Sequence, residues 1–160
     1  MPTLYLAGWA SWRTPGHHGP GGKFSIMQRT PRWAWGTAVG VLPQLGPQSG
    51  AEVVLLERLL EARHQKRPAD PGMIAQYRGL LDARWCASAQ HLRPGVLVYQ
   101  RLGMAAGYPQ EVLGTVGDGA TLCCACSVGE SLAGRCHRAW LAPHLRRAGW
   151  AVVLDGEDHP

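Results

Sequence analysis

The chain has 160 residues, 46% hydrophobic and 17% charged, with 21 glycines and 12 prolines. That size and balance predict one globular, loop-rich domain with ample material for a single core, and exclude a disordered chain. The net charge of +5 suits an acidic partner, either nucleic acid or a phosphorylated small molecule, but the basic residues are scattered and form no arm, so a solvated surface is the simpler account.

No apolar run approaches the ~18 residues of a membrane span. The first residues also lack the basic-then-apolar order of a signal peptide. A soluble cytoplasmic protein with no membrane partner is the expectation.

Thr3 to Ala7 is a short apolar run that reads as the first strand, ending at Gly8. Residues 9–50 form a long irregular segment rich in Gly, Pro and Trp, carrying Ser11, Arg13, His17, His18 and Lys23. A connection of that length is usually functional or disordered. Trp9, Trp12, Trp33 and Trp35 argue for order, because large aromatics are kept where they pack. The expectation is a structured loop laid over a pocket or the sheet edge, with a brief strand at Lys23 to Met27. His17 and His18, in a Gly-Pro loop, read as solvent-exposed. Gly19 to Lys23 lacks the Gly-Lys-Ser/Thr ending and the following helix of a triphosphate-binding loop, although Arg13 and Lys23 suit an anion.

Glu52 to His64 places Val53, Leu56, Leu59, Leu60 and Arg63 at helical spacing, with Glu57, Arg58 and Glu61 toward solvent. After a charged connector, Asp70 and Pro71 supply an N-cap and a proline at the first helical position. The second helix should run to about Ala89, with Ile74, Tyr77, Leu81 and Trp85 on its apolar side. Cys86 there reads as structural, and Arg78 and Arg84 as solvated. Pro94-Gly95 makes a turn, Val96 to Leu102 a strand, and Met104 to Gln110 a loop.

Thr121 to Cys126 reads as a buried strand with Cys124 and Cys126 on one face and Cys123 on the other. A polar loop follows. His137 to Ala148 then places His137, Leu141, His144, Leu145 and Ala148 on one helical side. Pro143 predicts a kink or a later helix start, and Gly149 stops the helix before a last strand at Trp150 to Leu154. These elements predict a single α/β domain: a mostly parallel sheet of about four strands, flanked by helices. In such sheets ligands sit beyond the carboxyl ends of strands. Ser11, Arg13 and Lys23 would thus meet Cys126, Cys136 and Arg138 at one pocket.

The five cysteines are an odd number, and four of them fall within residues 123–136. That pattern opposes a secreted disulfide framework and fits reduced thiols or a metal site. A cysteine at a helix start beside His137 and Arg138 is placed for nucleophilic chemistry, since the free N–H groups there favour a thiolate. The plain alternative is that Cys123, Cys124 and Cys126 pack as small core hydrophobes and Cys136 is a satisfied residue of the first helical turn.

Leu122-Cys123-Cys124-Ala125, the loop after it, Cys136-His137-Arg138 and the run to Trp150-Ala151-Val152-Val153 resemble the C-terminal signature of the DUF488 family. On that alignment Cys124 takes the family cysteine, and Cys136, His137 and Arg138 take its Cys-His-Arg. Cys126 stands where the family has Glu, and the loop is a few residues longer. The resemblance covers about a quarter of the chain and implies a small α/β domain with a polar pocket beside the tripeptide.

Three functions follow as expectations. In the first, the pocket belongs to an enzyme or a small-molecule binder and takes an anionic or nucleotide-like ligand without a cofactor: Cys136, His137 and Arg138 are the catalytic candidates, and Ser11, Arg13, Lys23, Cys124 and Cys126 line it. In the second, Cys124, Cys126, Cys136 and His137 hold zinc. In the third, the domain is a regulatory protein with nucleic acid as its partner.

Overall fold

The computed structural model describes residues 1–9, 17–27, 37–102, 109–125 and 136–155. The strands are β1 (Thr3–Gly8), β2 (Lys23–Ser25), β3 (Ala38–Val41), β4 (Val98–Leu102), β5 (Pro109–Thr115), β6 (Ala120–Cys124) and β7 (Ala151–Leu154). The helices are α1 (Gly50–His64), α2 (Pro71–Ala87) and α3 (His137–Arg147). All seven strands join one sheet in the order β5-β4-β3-β2-β6-β1-β7. From β3 to β7 the pairings are parallel. The β4–β5 hairpin adds antiparallel strands at the β3 edge.

The α/β class and the mostly parallel sheet match the sequence expectation, but seven strands replace about four. The extra strands come from segments with weak local signals. Ala38–Val41 is four residues long with a central glycine, and it lies inside the segment expected to be loop. Gly40 is needed there: a Cβ at that position would sit 2.4 Å from the Gln100 carbonyl oxygen of the paired strand. β5 begins with Pro109, which a strand tolerates at its first residue and at a sheet edge. Val112 and Leu113 are both exposed, so no inward-outward alternation announces the strand.

Leu4, Leu6, Phe24, Leu122 and Cys124 turn one face of the sheet toward Leu81, Trp85, Trp140, Leu141 and Leu145 of the helices, in one continuous buried cluster. Cys123 points the other way, with Trp9, Val41 and Leu102. Buried tryptophans need a partner for the indole N–H. Trp85 donates to the Gln44 carbonyl at 3.1 Å and Trp150 to the Leu92 carbonyl at 2.6 Å.

The helix starts follow from their caps. The Asp70 carboxylate accepts from the Gly72 N–H at 2.9 Å, with Pro71 at the first helical position. The Ser49 hydroxyl accepts from Glu52 N–H at 3.1 Å, and the Glu52 carboxylate reaches back to accept from Gln48 N–H at 3.1 Å, a capping box whose return bond falls one residue early. α3 starts at His137 and runs through Pro143 rather than beginning after it. Among the described residues no helix is long and apolar enough to cross a membrane.

Arg84 is not the solvated residue its helical position suggests. Its guanidinium brackets the chain before α1, donating to the Gln44 and Gly46 carbonyls and to Glu52, at 2.8 Å from Nη2 to Oε1. Burial alone would raise the Glu52 pKa, but the Arg84 fork and the Gln48 and Ser49 contacts outweigh it and hold this carboxyl below its ordinary value. A depressed carboxyl adds stability that is present above the unfolded-state pKa and lost as pH falls through the folded one. Glu52→Gln therefore destabilises by about 2–3 kcal/mol at pH 7. In urea titrations the gap between variant and parent should narrow below about pH 4; a gap independent of pH would show that the charge is not what matters.

Gly19 to Gly22 has a packing explanation. Gly19 N–H donates to the Thr121 hydroxyl at 3.0 Å and Gly21 N–H to the Gly119 carbonyl at 3.0 Å. A Cβ on Gly19 would lie 2.1 Å from the Gly119 carbonyl oxygen and 2.5 Å from the Tyr5 ring. The run lies against the start of β6, so close backbone approach accounts for its glycines.

Candidate metal centre

β1 and β6 are parallel neighbours whose last residues, Gly8 and Cys124, stand in register. The connection from β1 to β2 passes β6, and the one from β6 to β7 passes β1. In open α/β sheets ligands sit beyond the carboxyl ends of the strands. α3 begins at this end of the sheet. Cys136 is its N-cap residue, with extended backbone geometry and no capping bond from the side chain; its carbonyl accepts from Ala139 N–H at 3.1 Å.

This arrangement brings Cys124, at the end of a strand, against Cys136, at the start of a helix. The sulfurs are 3.3 Å apart and both residues are buried. That separation is well beyond the ~2.05 Å of a disulfide, so the pair stands as two thiols. His137 adds an imidazole, and one donor atom from each of Cys124, Cys136 and His137 lies within 4.8 Å of the others. The His137 Nε2 is 3.0 Å from the Ile26 carbonyl oxygen. A carbonyl only accepts, so Nε2 carries a proton.

Arg138 lies fully buried beside the sulfurs. It forks onto Asp155, Nε to Oδ1 at 2.9 Å and Nη2 to Oδ2 at 3.0 Å. Its Nη1 donates to Cys124 Sγ at 2.8 Å and to Cys136 Sγ at 3.6 Å. The first contact is short for sulfur, as suits a charged donor. Burial works to lower the Arg138 pKa, but Cys124, Cys136 and Asp155 outweigh it, and the guanidinium stays protonated above its usual range. Asp155 is itself anchored, with Oδ2 accepting from Gly8 N–H at 3.3 Å and its own N–H donating to the Leu6 carbonyl at 2.9 Å. β1, β6, β7 and α3 are thus tied through one ion pair. Cys123, on the opposite face, is pushed toward the neutral thiol by burial and by the neighbouring Cys124.

Of the residues the sequence nominates, Cys124, Cys136, His137 and Arg138 come together. Lys23 does not join them. It stands in register with Thr121 on the face shared with Cys123, three positions short of Cys124. Ser11, Arg13 and Cys126 lie outside the described residues. The cation expected to meet an anionic ligand, Arg138, is turned instead to Asp155 and the two sulfurs.

Sequence reasoning missed Asp155 and the Ile26 carbonyl. Asp155 had a readable signal, a carboxylate closing the Val152-Val153-Leu154 run at the carboxyl end of a strand; the backbone carbonyl had none. No family model, curated protein or solved structure matches this chain.

Proposed function

We propose that this chain is a divergent DUF488-like α/β protein whose working site is a zinc centre held by Cys124, Cys136 and His137. One observation carries the reading: two thiols and an imidazole from three separate positions present ligand atoms within 4.8 Å of one another. Zinc takes Cys sulfur at ~2.3 Å and His nitrogen at ~2.0–2.1 Å in a tetrahedron, so its ligand atoms stand roughly 3.5–3.8 Å apart. The sulfurs need to open by only a few tenths of an ångström from 3.3 Å. The ring donates its other N–H to the Ile26 carbonyl, the outer contact that orients metal-bound histidines. Arg138 donates to the sulfur side, which favours the thiolates that zinc requires.

Three protein ligands leave a fourth position. Catalytic zinc sites keep that place for water or substrate, whereas structural ones fill it with a fourth side chain. The location at the carboxyl ends of β1 and β6 favours a small anionic ligand there; Cys126 is the alternative occupant.

Cobalt(II) distinguishes these cases. Titration of the reduced protein should give one equivalent of tetrahedral, thiolate-ligated absorption, and Cys136→Ser should cut its sulfur-to-cobalt band to about half or less. Added inorganic phosphate should shift the visible bands if the fourth place is open and leave them unchanged if a side chain fills it. Octahedral, pale cobalt in the parent protein would refute the centre.

A further inference from the structure

The structure holds a second cysteine site. Two turns along α3 from His137, His144 points into a cavity of about 210 Å³ lined by Cys86, Gln90, Leu92, Arg93 and Arg147. Cys86 is exposed, and its Sγ stands 4.0 Å from His144 Nδ1. On the far side of the ring, His144 Nε2 is 2.7 Å from Asp82 Oδ1. Asp82 and Cys86 are four residues apart on α2 and so share a face. The same His144 Nδ1 is 3.1 Å from Arg147 Nη2. An arginine nitrogen can only donate, which makes Nδ1 an acceptor and places the ring proton on Nε2, toward Asp82. The lone pair of Nδ1, the ring nitrogen nearest the thiol, is held by Arg147 and takes the thiol's proton when that guanidinium swings away. Trp85 fixes the ring from beneath, centroid to centroid 5.4 Å.

A thiol beside a base that a carboxylate orients is the arrangement of an activated nucleophile. We propose that Cys86 is a reactive thiol that exchanges with small carboxylate-bearing disulfides, with His144 as its base and Asp82 as the positioning residue. In the step, the Cys86 S–H gives its proton to His144 Nδ1. The thiolate attacks one sulfur of the disulfide, a new S–S bond forms at Cys86 and the old one breaks. The departing thiolate takes the proton back from His144, so no outside oxidant is required. Once Nδ1 is protonated it no longer accepts from Arg147, and that guanidinium, with Arg93, faces the ligand's carboxylate. Exchange needs only a thiol, a base and access, and this cavity supplies all three. It stands apart from Cys124 and Cys136 and rests on different side chains.

The test uses two disulfide probes on the reduced full chain: the dianionic 5,5′-dithiobis(2-nitrobenzoate) and the uncharged 4,4′-dithiodipyridine, with peptide mapping to assign the modified cysteine. Cys86 should react with both about tenfold faster at pH 7 than a free cysteine thiol. Asp82→Asn should remove that advantage, because its amide can turn an N–H toward Nε2 and reverse the tautomer. Asp82→Glu should restore most of it, which a merely structural role would not predict. Asp82 is only partly buried, so these variants spare the core even if His144→Gln fails to fold. Arg93→Gln should slow the dianionic probe severalfold and leave the uncharged one unchanged. Reaction of Cys86 at the free-thiol rate, or equal rates in the parent and Asp82→Asn, overturns the site. An unchanged probe ratio in Arg93→Gln overturns the anionic class of ligand.

Discussion

Asp155→Ala should lower the unfolding free energy by about 3–5 kcal/mol, the largest single effect expected from any one side chain here. The cost does not equal the strength of the ion pair. It arises because Arg138 is completely buried, and its charge would remain in the interior without its carboxylate counter-ion. Gly8 N–H would lose its carboxylate partner as well. Arg138→Met should cost less than Asp155→Ala, because a carboxyl left without its partner can take up a proton, whereas a guanidinium cannot lose one. In the double variant the two effects should fall short of additive, since no lone charge remains. Urea denaturation of the four proteins checks this. A loss below 1 kcal/mol in Asp155→Ala would mean that water reaches Arg138 and that the site is not sealed.

Zinc should raise the thermal midpoint by roughly 8–16 °C when present at a thousandfold its dissociation constant. Ligand that binds only the folded chain stabilises by about 4 kcal/mol at that excess, and each kcal/mol moves a domain of this size by roughly 2–4 °C. Because the ligands come from β6 and from the start of α3, the metal would lock the strand-to-helix connection that the Arg138–Asp155 pair already ties to β1 and β7. Cys124→Ser and Cys136→Ser should abolish the shift, whereas Cys123→Ser should keep it despite any loss of intrinsic stability, because Cys123 is on the opposite face. Equal shifts in all of these proteins would place the metal elsewhere.

The C-terminal unit was legible because its signals are local and mutually consistent. Period-two alternation separated Cys124 from Cys123, helical spacing placed His137 with Leu141 and Leu145, and both assignments hold. The meeting of the first strand with the Cys124 strand was legible too, as a property of parallel sheets. The sheet's other half was not. β3 is specified by its pairing with the distant β4, as Gly40 against Gln100 illustrates, and β5 is an edge strand whose exposed Val112 and Leu113 give no alternation to read. Side-chain partners across long separations were also hidden. Arg84 finds Glu52 at a separation of 32 residues and His144 finds Asp82 at 62. Helical position alone therefore assigned Arg84 to solvent.

The most direct measurement is native mass spectrometry of the freshly purified, reduced full chain, alongside Cys136→Ser and His137→Gln and followed by denaturation of each. The account predicts one zinc per chain in the parent, lost on denaturation and absent or strongly depleted in both variants. A parent that carries no zinc after equilibration with the free ion, or variants that retain it fully, would contradict the centre at Cys124, Cys136 and His137.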